Sequence, residues 1–98
     1  MGSRNYWLLL LITPFLLFGI PTQEEACLKG DGEVCESLGY LYETGINRPK
    51  NLKKAFYFYS KGCEAGNSGA CVAEGLMLLK GKGVKKDLEK GKKLLQNY

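Results

Sequence analysis

Apolar residues recur along much of the chain with the spacing of an amphipathic α-helix. The clearest case is residues 33–44, where apolar side chains fall at i, i+4, i+7 and i+8 and so share one helical face. The residues that form this face are Val34, Leu38, Leu41 and Tyr42. No stretch alternates with the period of two that a half-buried strand shows. The pattern therefore predicts an all-α fold.

The ends of the other helices are marked by residues that favour helix termini. Gly30 and Gly45 each follow a helical segment, and glycine is favoured just past a helix C-terminus. Asn51 is a good N-cap for the helix that follows it, and Asp87 serves the last helix in the same way. The predicted helices are residues 23–29, 33–44, 52–65, 70–80 and 88–98.

Helical spacing also predicts which residues of the later helices are buried. In residues 52–65 the buried stripe is Leu52, Ala55, Phe56, Tyr59 and Cys63. This assignment leaves Tyr57 and Phe58 pointing away from the core. In residues 70–80 the predicted buried side chains are Val72, Ala73, Leu76, Met77 and Leu79.

The chain repeats itself after 36 residues. Residues 27–35 and 63–71 each begin and end with a cysteine and have a glycine-rich, polar middle. The same offset aligns Gly30, Gly39, Gly45, Lys50, Leu52 and Lys54 with Gly66, Gly75, Gly81, Lys86, Leu88 and Lys90. A fixed period of this length indicates a solenoid of helix–turn–helix repeats. Gly39 and Gly75 lie inside helices, where glycine costs about 1 kcal/mol relative to alanine, so we expect a neighbouring helix to pack closely against each.

The first 22 residues differ from the rest of the chain. Arg4 precedes an apolar run over residues 7–18, and polar sequence follows, which is the order of a secretory signal peptide. The run is shorter than the roughly 20 residues that a membrane span needs, and Pro14 interrupts it. We therefore expect a secreted or periplasmic protein with no stable membrane span once the leader is removed. The predicted divisions are a signal peptide at 1–22 and a repeat domain at 23–98, which contains a final-helix stub at 23–30 and repeats at 31–66 and 67–98.

Export favours disulfide bonds as the state of the four cysteines. Zinc ligands usually lie two to four residues apart, whereas seven residues separate the cysteines of each pair, and the chain has no histidine. Redox motifs usually have two intervening residues. Two antiparallel helices joined by a short loop bring the cysteines of each segment together, which predicts the pairs Cys27–Cys35 and Cys63–Cys71. No metal site or cofactor is predicted.

The charge of the chain says little about its partners. The formal net charge is +4, and loss of a leader that contains Arg4 and no acidic residue leaves +4 − 1 = +3. This value favours solubility and does not indicate nucleic-acid binding. Seven lysines lie between residues 80 and 93 against Asp87 and Glu89, and a solvated face is their ordinary interpretation.

The repeat unit resembles the Sel1-like repeat, a relative of the tetratricopeptide repeat. The family's Leu-Gly-x-Leu/Met-Tyr-x-x-Gly pattern is met at residues 38–45, and its Asp-x-x-Lys-Ala-x-x-Tyr-Tyr pattern at residues 51–59. A looser second copy is found at residues 75–77, 81–84 and 87–90. The cysteine interval is similar to that of the Helicobacter cysteine-rich proteins, which are secreted Sel1-like repeat proteins. The resemblance implies an α/α solenoid of these repeats with one disulfide per repeat.

The same resemblance implies penicillin binding or weak β-lactamase activity, because members of that family are described as β-lactamase-like. The residues do not supply the corresponding motifs. Serine lactamases use Ser-x-x-Lys, and no serine of this chain has a lysine three residues later. Without histidine the chain also lacks the usual general base and the main ligand of metallo-lactamases. Catalytic residues are therefore unknown, and any β-lactam turnover is expected to be slow.

The repeat geometry favours a protein- or peptide-binding or scaffolding module, with the β-lactam protein as the alternative. Repeat solenoids present extended concave surfaces, and we expect binding in a groove formed by the first helices of the repeats. Tyr40 and Tyr57 are the candidate binding residues, since tyrosine is enriched where proteins recognise each other. For the aromatic residues at 56–59, packing against the next helix is the first interpretation and an anchor for a peptide is the second.

Overall fold

A computed structural model describes residues 22–97 and contains only helices within that range. The helices are α1 (Gln23–Leu28), α2 (Gly32–Thr44), α3 (Leu52–Glu64), α4 (Ser68–Lys80) and α5 (Leu88–Asn97). The all-α prediction is confirmed. The predicted signal peptide falls almost wholly on residues 1–21, which lie outside the described residues. None of the five helices is both long and apolar enough to cross a membrane.

Polar side chains begin each of the five helices. In each case the side-chain oxygen of the residue before the helix accepts a hydrogen bond from a backbone N–H three residues later; these residues are Thr22, Asp31, Asn51, Asn67 and Asp87. Such a cap stabilises a helix by about 1 kcal/mol. Asn67 accepts from the N–H of Ala70 at 2.8 Å, so α4 begins at Ser68, two residues earlier than the spacing predicts.

The helices pack as two consecutive antiparallel pairs. Helix α2 packs against α3, and α4 packs against α5, while α3 also contacts α4 and so joins the two pairs. Helix α1 packs on α2 in the way that α3 packs on α4, and the two first helices α2 and α4 contact each other as well. This arrangement confirms the predicted solenoid of helix–turn–helix repeats.

Interior glycines allow the helices of each pair to approach closely. A Cβ atom at Gly39 would lie 2.6 Å from the Tyr59 ring, too close for any side chain. In the second repeat, a Cβ at Gly75 would lie 3.1 Å from the carbonyl oxygen of Gly91, and a Cβ at Gly91 would lie 2.9 Å from that of Gly75. The close packing predicted at both glycine positions is therefore present.

The core contains two clusters of buried residues. The first contains Cys27, Cys35, Leu38 and Phe58, and the second contains Ala55, Tyr59, Ala70 and Met77. Phe58 is only 6 % exposed and stacks on Tyr42 with ring centroids 5.6 Å apart. The prediction that Phe58 points away from the core is wrong, because α3 is covered on more than one side by its neighbours.

The predicted buried face of α4 is also partly wrong. Leu78 is buried at 3 % exposure, whereas Leu76 is 42 % exposed. Four apolar residues follow one another at positions 76–79, so periodicity alone does not fix which of them faces the core. Packing against α3 and α5 fixes it instead, and Leu76 remains on the open side of α4.

Candidate functional site

Two disulfides connect successive helices across the short loops. Cys27–Cys35 joins α1 to α2 with Cα atoms 4.7 Å apart, and Cys63–Cys71 joins α3 to α4 with Cα atoms 4.5 Å apart. Each bond links the last helix of one unit to the first helix of the next, which agrees with the expected one disulfide per repeat. Among the described residues no cysteine is free, so these four side chains offer no thiol chemistry.

An open groove runs between α2 and α4. Its larger part has a volume of about 570 Å³ and is lined by Glu36, Ser37, Tyr40, Leu41, Tyr59 and Ala73. A smaller depression of about 110 Å³ adjoins it and is lined by Glu43, Ala73, Leu76, Met77, Lys80 and Lys82. Ala73 belongs to both, so the two form one continuous surface, hereafter the α2–α4 groove. The groove lies on the first helices of the repeats, where the sequence predicts binding.

Two apolar side chains stand exposed on the walls of the groove. Tyr40 on α2 is 53 % exposed, and Leu76 on α4 is 42 % exposed. The two residues occupy the same position of successive repeats, 36 residues apart. Exposed apolar groups that line a groove are candidates for contact with a partner.

A hydrogen-bonded network ties the floor of the groove to its rim. The Tyr59 hydroxyl donates to Oε1 of Glu43 at 2.8 Å, and the Lys82 ammonium donates to Oε2 of the same carboxylate at 3.0 Å. Burial and the hydrogen bond to Glu43 raise the pKa of Tyr59 above its usual value, so this phenol stays neutral. Burial alone would raise the pKa of Glu43. The hydrogen bonds from Lys82 and Tyr59, with the charges of Lys82 and Lys80, outweigh that effect and lower the pKa overall.

The opposite end of the groove carries a carboxylate. Glu36 on α2 reaches across to the first turn of α4, where its side chain lies against Gly69 so closely that a Cβ there would contact the carboxylate. Within residues 22–97 Glu36 forms no ion pair. Its neighbour Ser37 adds a hydroxyl to the same part of the lining.

The two candidate binding tyrosines lie in different places. Tyr40 lines the groove, whereas Tyr57 is exposed on α3 and is not part of the lining. The Tyr57 ring meets Phe58 edge-on, and the ammonium of Lys61 lies 5.6 Å from its centroid. The structure therefore separates the two residues, and a role in binding stays a prediction for each.

Several residues of the groove were not predicted from the sequence, although the 36-residue repeat indicates one of them. Leu76 aligns with Tyr40 under the 36-residue offset, so choosing Tyr40 as an exposed candidate implied Leu76 as its counterpart. Glu36 and Lys80 could not be found in this way, because their repeat counterparts, Val72 and Thr44, carry no charge.

A second polar contact lies between α3 and α4. The hydroxyl of Ser60 donates to Oε1 of Glu74 at 2.9 Å, and Glu74 is only 7 % exposed. The nearby Lys61 pairs with Glu64 at 3.5 Å. Lys54 lies 5.3 Å from the centroid of the Tyr42 ring. Slow β-lactam turnover stays a prediction. No group of three or more potential metal ligands is found within the described range.

Comparison with known proteins agrees with this architecture. The Sel1 repeat model matches residues 32–67 and 70–97. Among solved structures, the chain is similar to Helicobacter pylori cysteine-rich protein B (hcpB), with 34% sequence identity and a TM-score of 0.72. The similarity covers 76% of this chain and 56% of that one, so the chain spans little more than half the length of this relative. The chain therefore belongs to the Sel1 repeat family.

Proposed function

We propose that this chain is an exported, disulfide-stapled binding module that takes a peptide segment of a protein partner into the α2–α4 groove. The observation that carries the proposal is the pair Tyr40 and Leu76, exposed at equivalent positions of the two helices that line the groove. Repeat proteins of this kind act as protein-interaction modules, and their concave surfaces suit extended segments.

The groove is well suited to hold a ligand without rearrangement. Its floor is the buried Tyr59 ring, which is fixed from below by Gly39 and from one side by Glu43. Cys63–Cys71 anchors the start of α4 to the end of α3 and so limits the movement of one wall. Because a rigid site loses little conformational entropy on binding, such preorganisation favours affinity.

The proposed location of the protein is outside the cytosol. The two disulfides are the evidence for it within the described residues, since such bonds persist in oxidising compartments and are rare in the cytosol. The leader-like sequence of residues 1–22 agrees with the same location. We propose secretion or release into the periplasm.

The test is selection of peptides on the oxidised protein, followed by measurement of the dissociation constants of wild type and variants. Tyr40→Ala and Leu76→Ala should each weaken the selected peptides by about tenfold or more, as expected for central apolar anchors. Tyr57→Ala and Leu28→Ala are matched controls, because both residues are exposed apolar side chains outside the groove. Their affinities should stay within about twofold of wild type, which corresponds to less than 0.5 kcal/mol.

Two results would contradict the proposal. One is equal affinity of wild type, Tyr40→Ala and Leu76→Ala for every selected peptide. The other is a loss caused by Tyr57→Ala alone, which would move the binding surface to the outer side of α3. Circular dichroism of each variant shows whether a loss of affinity reflects loss of the fold.

A further inference from the structure

The two ends of the α2–α4 groove carry opposite charges. Glu36 lines one end, beside the first turn of α4. Lys80 and Lys82 line the other end together with Glu43, beside the last turn of α4. The wall residues Tyr40 and Leu76 lie between these ends along their helices.

At each end of the groove, one charged side chain has no ion-pair partner among the groove residues. Lys82 is paired with Glu43 at 3.0 Å, which leaves Lys80 as the additional cation at that end. Among residues 22–97 neither Lys80 nor Glu36 forms an ion pair. The lining is therefore negative at the Glu36 end and positive at the Lys80 end, with an apolar centre.

The length of α4 sets the distance between the two charges. Glu36 meets α4 at Gly69, and Lys80 lies 80 − 69 = 11 residues further along the same helix. A rise of 1.5 Å per residue gives a span of about 16 Å. An extended peptide advances about 3.3 Å per residue, so about five residues cover this distance.

From this arrangement we infer that the groove selects an extended segment of about five residues with a basic residue at one end, apolar residues in the middle and an acidic residue at the other end. The basic side chain would meet Glu36, and the acidic side chain would meet Lys80. Tyr40 and Leu76 would contact the apolar residues between them. This inference rests on the proposed function and adds the chemistry of the segment that the groove takes.

Defined peptides test the inference, each acetylated and amidated so that only side chains carry charge. The bipolar peptide Lys-Leu-Tyr-Leu-Glu is compared with Lys-Leu-Tyr-Leu-Lys and Glu-Leu-Tyr-Leu-Glu. Fluorescence anisotropy at low salt should show the bipolar peptide binding about three- to tenfold more tightly than either of the others, as expected for exposed ion pairs. Raising the salt to about 1 M should reduce this preference, because screening then acts within a few ångströms.

Charge-reversal variants predict a change of preference. Glu36→Lys should favour the peptide with two glutamates, and Lys80→Glu should favour the peptide with two lysines. The double variant should recover preference for the bipolar peptide, which can bind in the opposite direction. Glu89→Lys and Lys93→Glu are the controls, since both residues are exposed on α5 and lie outside the groove. They should leave the order of preference unchanged.

The outcomes separate the two proposals. Equal binding of all three peptides by wild type, weakened by Tyr40→Ala, would overturn the charge inference and leave the groove as the binding site. A bipolar preference that follows the α5 controls rather than Glu36 and Lys80 would also overturn it. No binding by any peptide, or binding that Tyr40→Ala and Leu76→Ala leave unchanged, would contradict both the inference and the proposed function.

Discussion

Tyr59 packs its ring directly on the backbone of Gly39, where a Cβ atom would lie 2.6 Å from ring carbons Cδ1 and Cε1. One helical turn further along α2, the hydroxyl of the same tyrosine donates to Glu43. Tyr59 is therefore held at two points of α2 and cannot move aside easily. Because its ring also lines the α2–α4 groove, this contact connects the packing of the first repeat to the shape of the site.

Replacing Gly39 with alanine should destabilise the protein. Alanine gains about 1 kcal/mol of helix propensity over glycine, but forced overpacking costs typically 1–3 kcal/mol. Since the Tyr59 ring is fixed by Glu43, we expect a net loss of up to about 2 kcal/mol in the free energy of unfolding. Gly69→Ala is the control, because the three atoms nearest to its Cβ would all belong to the flexible end of Glu36. Urea unfolding should find this control as stable as wild type or more so; a stabilised Gly39→Ala would contradict the close contact.

The buried pair Ser60 and Glu74 gives a second prediction. Glu74 occupies the repeat position of Leu38, which is fully buried. Ser60→Ala should cost about 1–3 kcal/mol, because it removes the one hydrogen-bond donor that Glu74 has among the described residues. The double variant Ser60→Ala/Glu74→Leu should restore stability, since replacing both polar partners by apolar groups is nearly neutral. If the double variant is less stable than Ser60→Ala alone in urea unfolding, Glu74 has a further structural role.

Glu43 makes the stability depend on pH in the acid range. Its pKa in the folded protein is lower than in the unfolded chain, because Lys82 and Tyr59 hydrogen-bond the carboxylate and outweigh its burial. Its contribution is therefore fully present above the unfolded pKa, near the ordinary value of 4.5, and is lost as the pH falls below it. A partly exposed pair of this kind contributes about 0.5–1 kcal/mol.

The measurement is the difference in unfolding free energy between wild type and Glu43→Gln. This difference should be constant near neutral pH and should shrink as the pH falls below about 4.5. Glu64→Gln is the control, because Glu64 forms only an exposed pair with Lys61 and should change stability little at any pH. A difference that is the same at pH 7 and pH 3, or that grows on acidification, would contradict the stabilising role of the Glu43 network.

The two disulfides should contribute unequally to stability. By the chain-entropy model, closing a loop of this length stabilises by about 2–3 kcal/mol in either repeat. Cys27 and Cys35 are also part of a buried core cluster, whereas Cys63 is partly exposed. Replacing Cys27 and Cys35 together by alanine should therefore lower the melting temperature more than the same change at Cys63 and Cys71.

Complete reduction should unfold the protein or nearly so, because a domain of this size has little stability to spare. Circular dichroism with and without reductant tests this expectation. Unchanged helicity and melting temperature after full reduction would contradict it.

Peptide mapping of the oxidised protein should recover only Cys27–Cys35 and Cys63–Cys71, and a peptide linking Cys35 to Cys63 would contradict the pairing.

The sequence was enough to predict the helices, their pairing and most of the residues at their ends, although α4 begins at Ser68 rather than at Ala70. These features depend on local signals, such as Asn51 before α3 and Gly45 after α2, and on the 36-residue period. Phe58 was misplaced because one helical stripe describes contact with one neighbour, whereas α3 packs against α1, α2 and α4. A middle helix of a solenoid therefore buries a wider arc than its strongest apolar stripe indicates.

The site was less predictable, because a groove is formed by residues from different repeats. Tyr40 and Tyr57 are both exposed tyrosines, and their sequence surroundings do not show that only Tyr40 faces the groove. The charged ends were also missed, since Glu36 lies close to α4 only after α2 and α4 pack side by side. Pairing of first helices across repeats is a tertiary property that local patterns do not encode.

The most direct test of the account is to locate peptide binding on the oxidised protein by NMR. Amide signals of ¹⁵N-labelled protein are followed during titration with a peptide selected for affinity or with the bipolar peptide. We predict that the largest shifts occur along α2 and α4, around Tyr40, Ala73 and Leu76, and that signals near Tyr57 change little. Shifts confined to the exposed side of α3 or to the lysine-rich residues 85–93, with Tyr40 and Leu76 unaffected, would contradict the groove as the binding site.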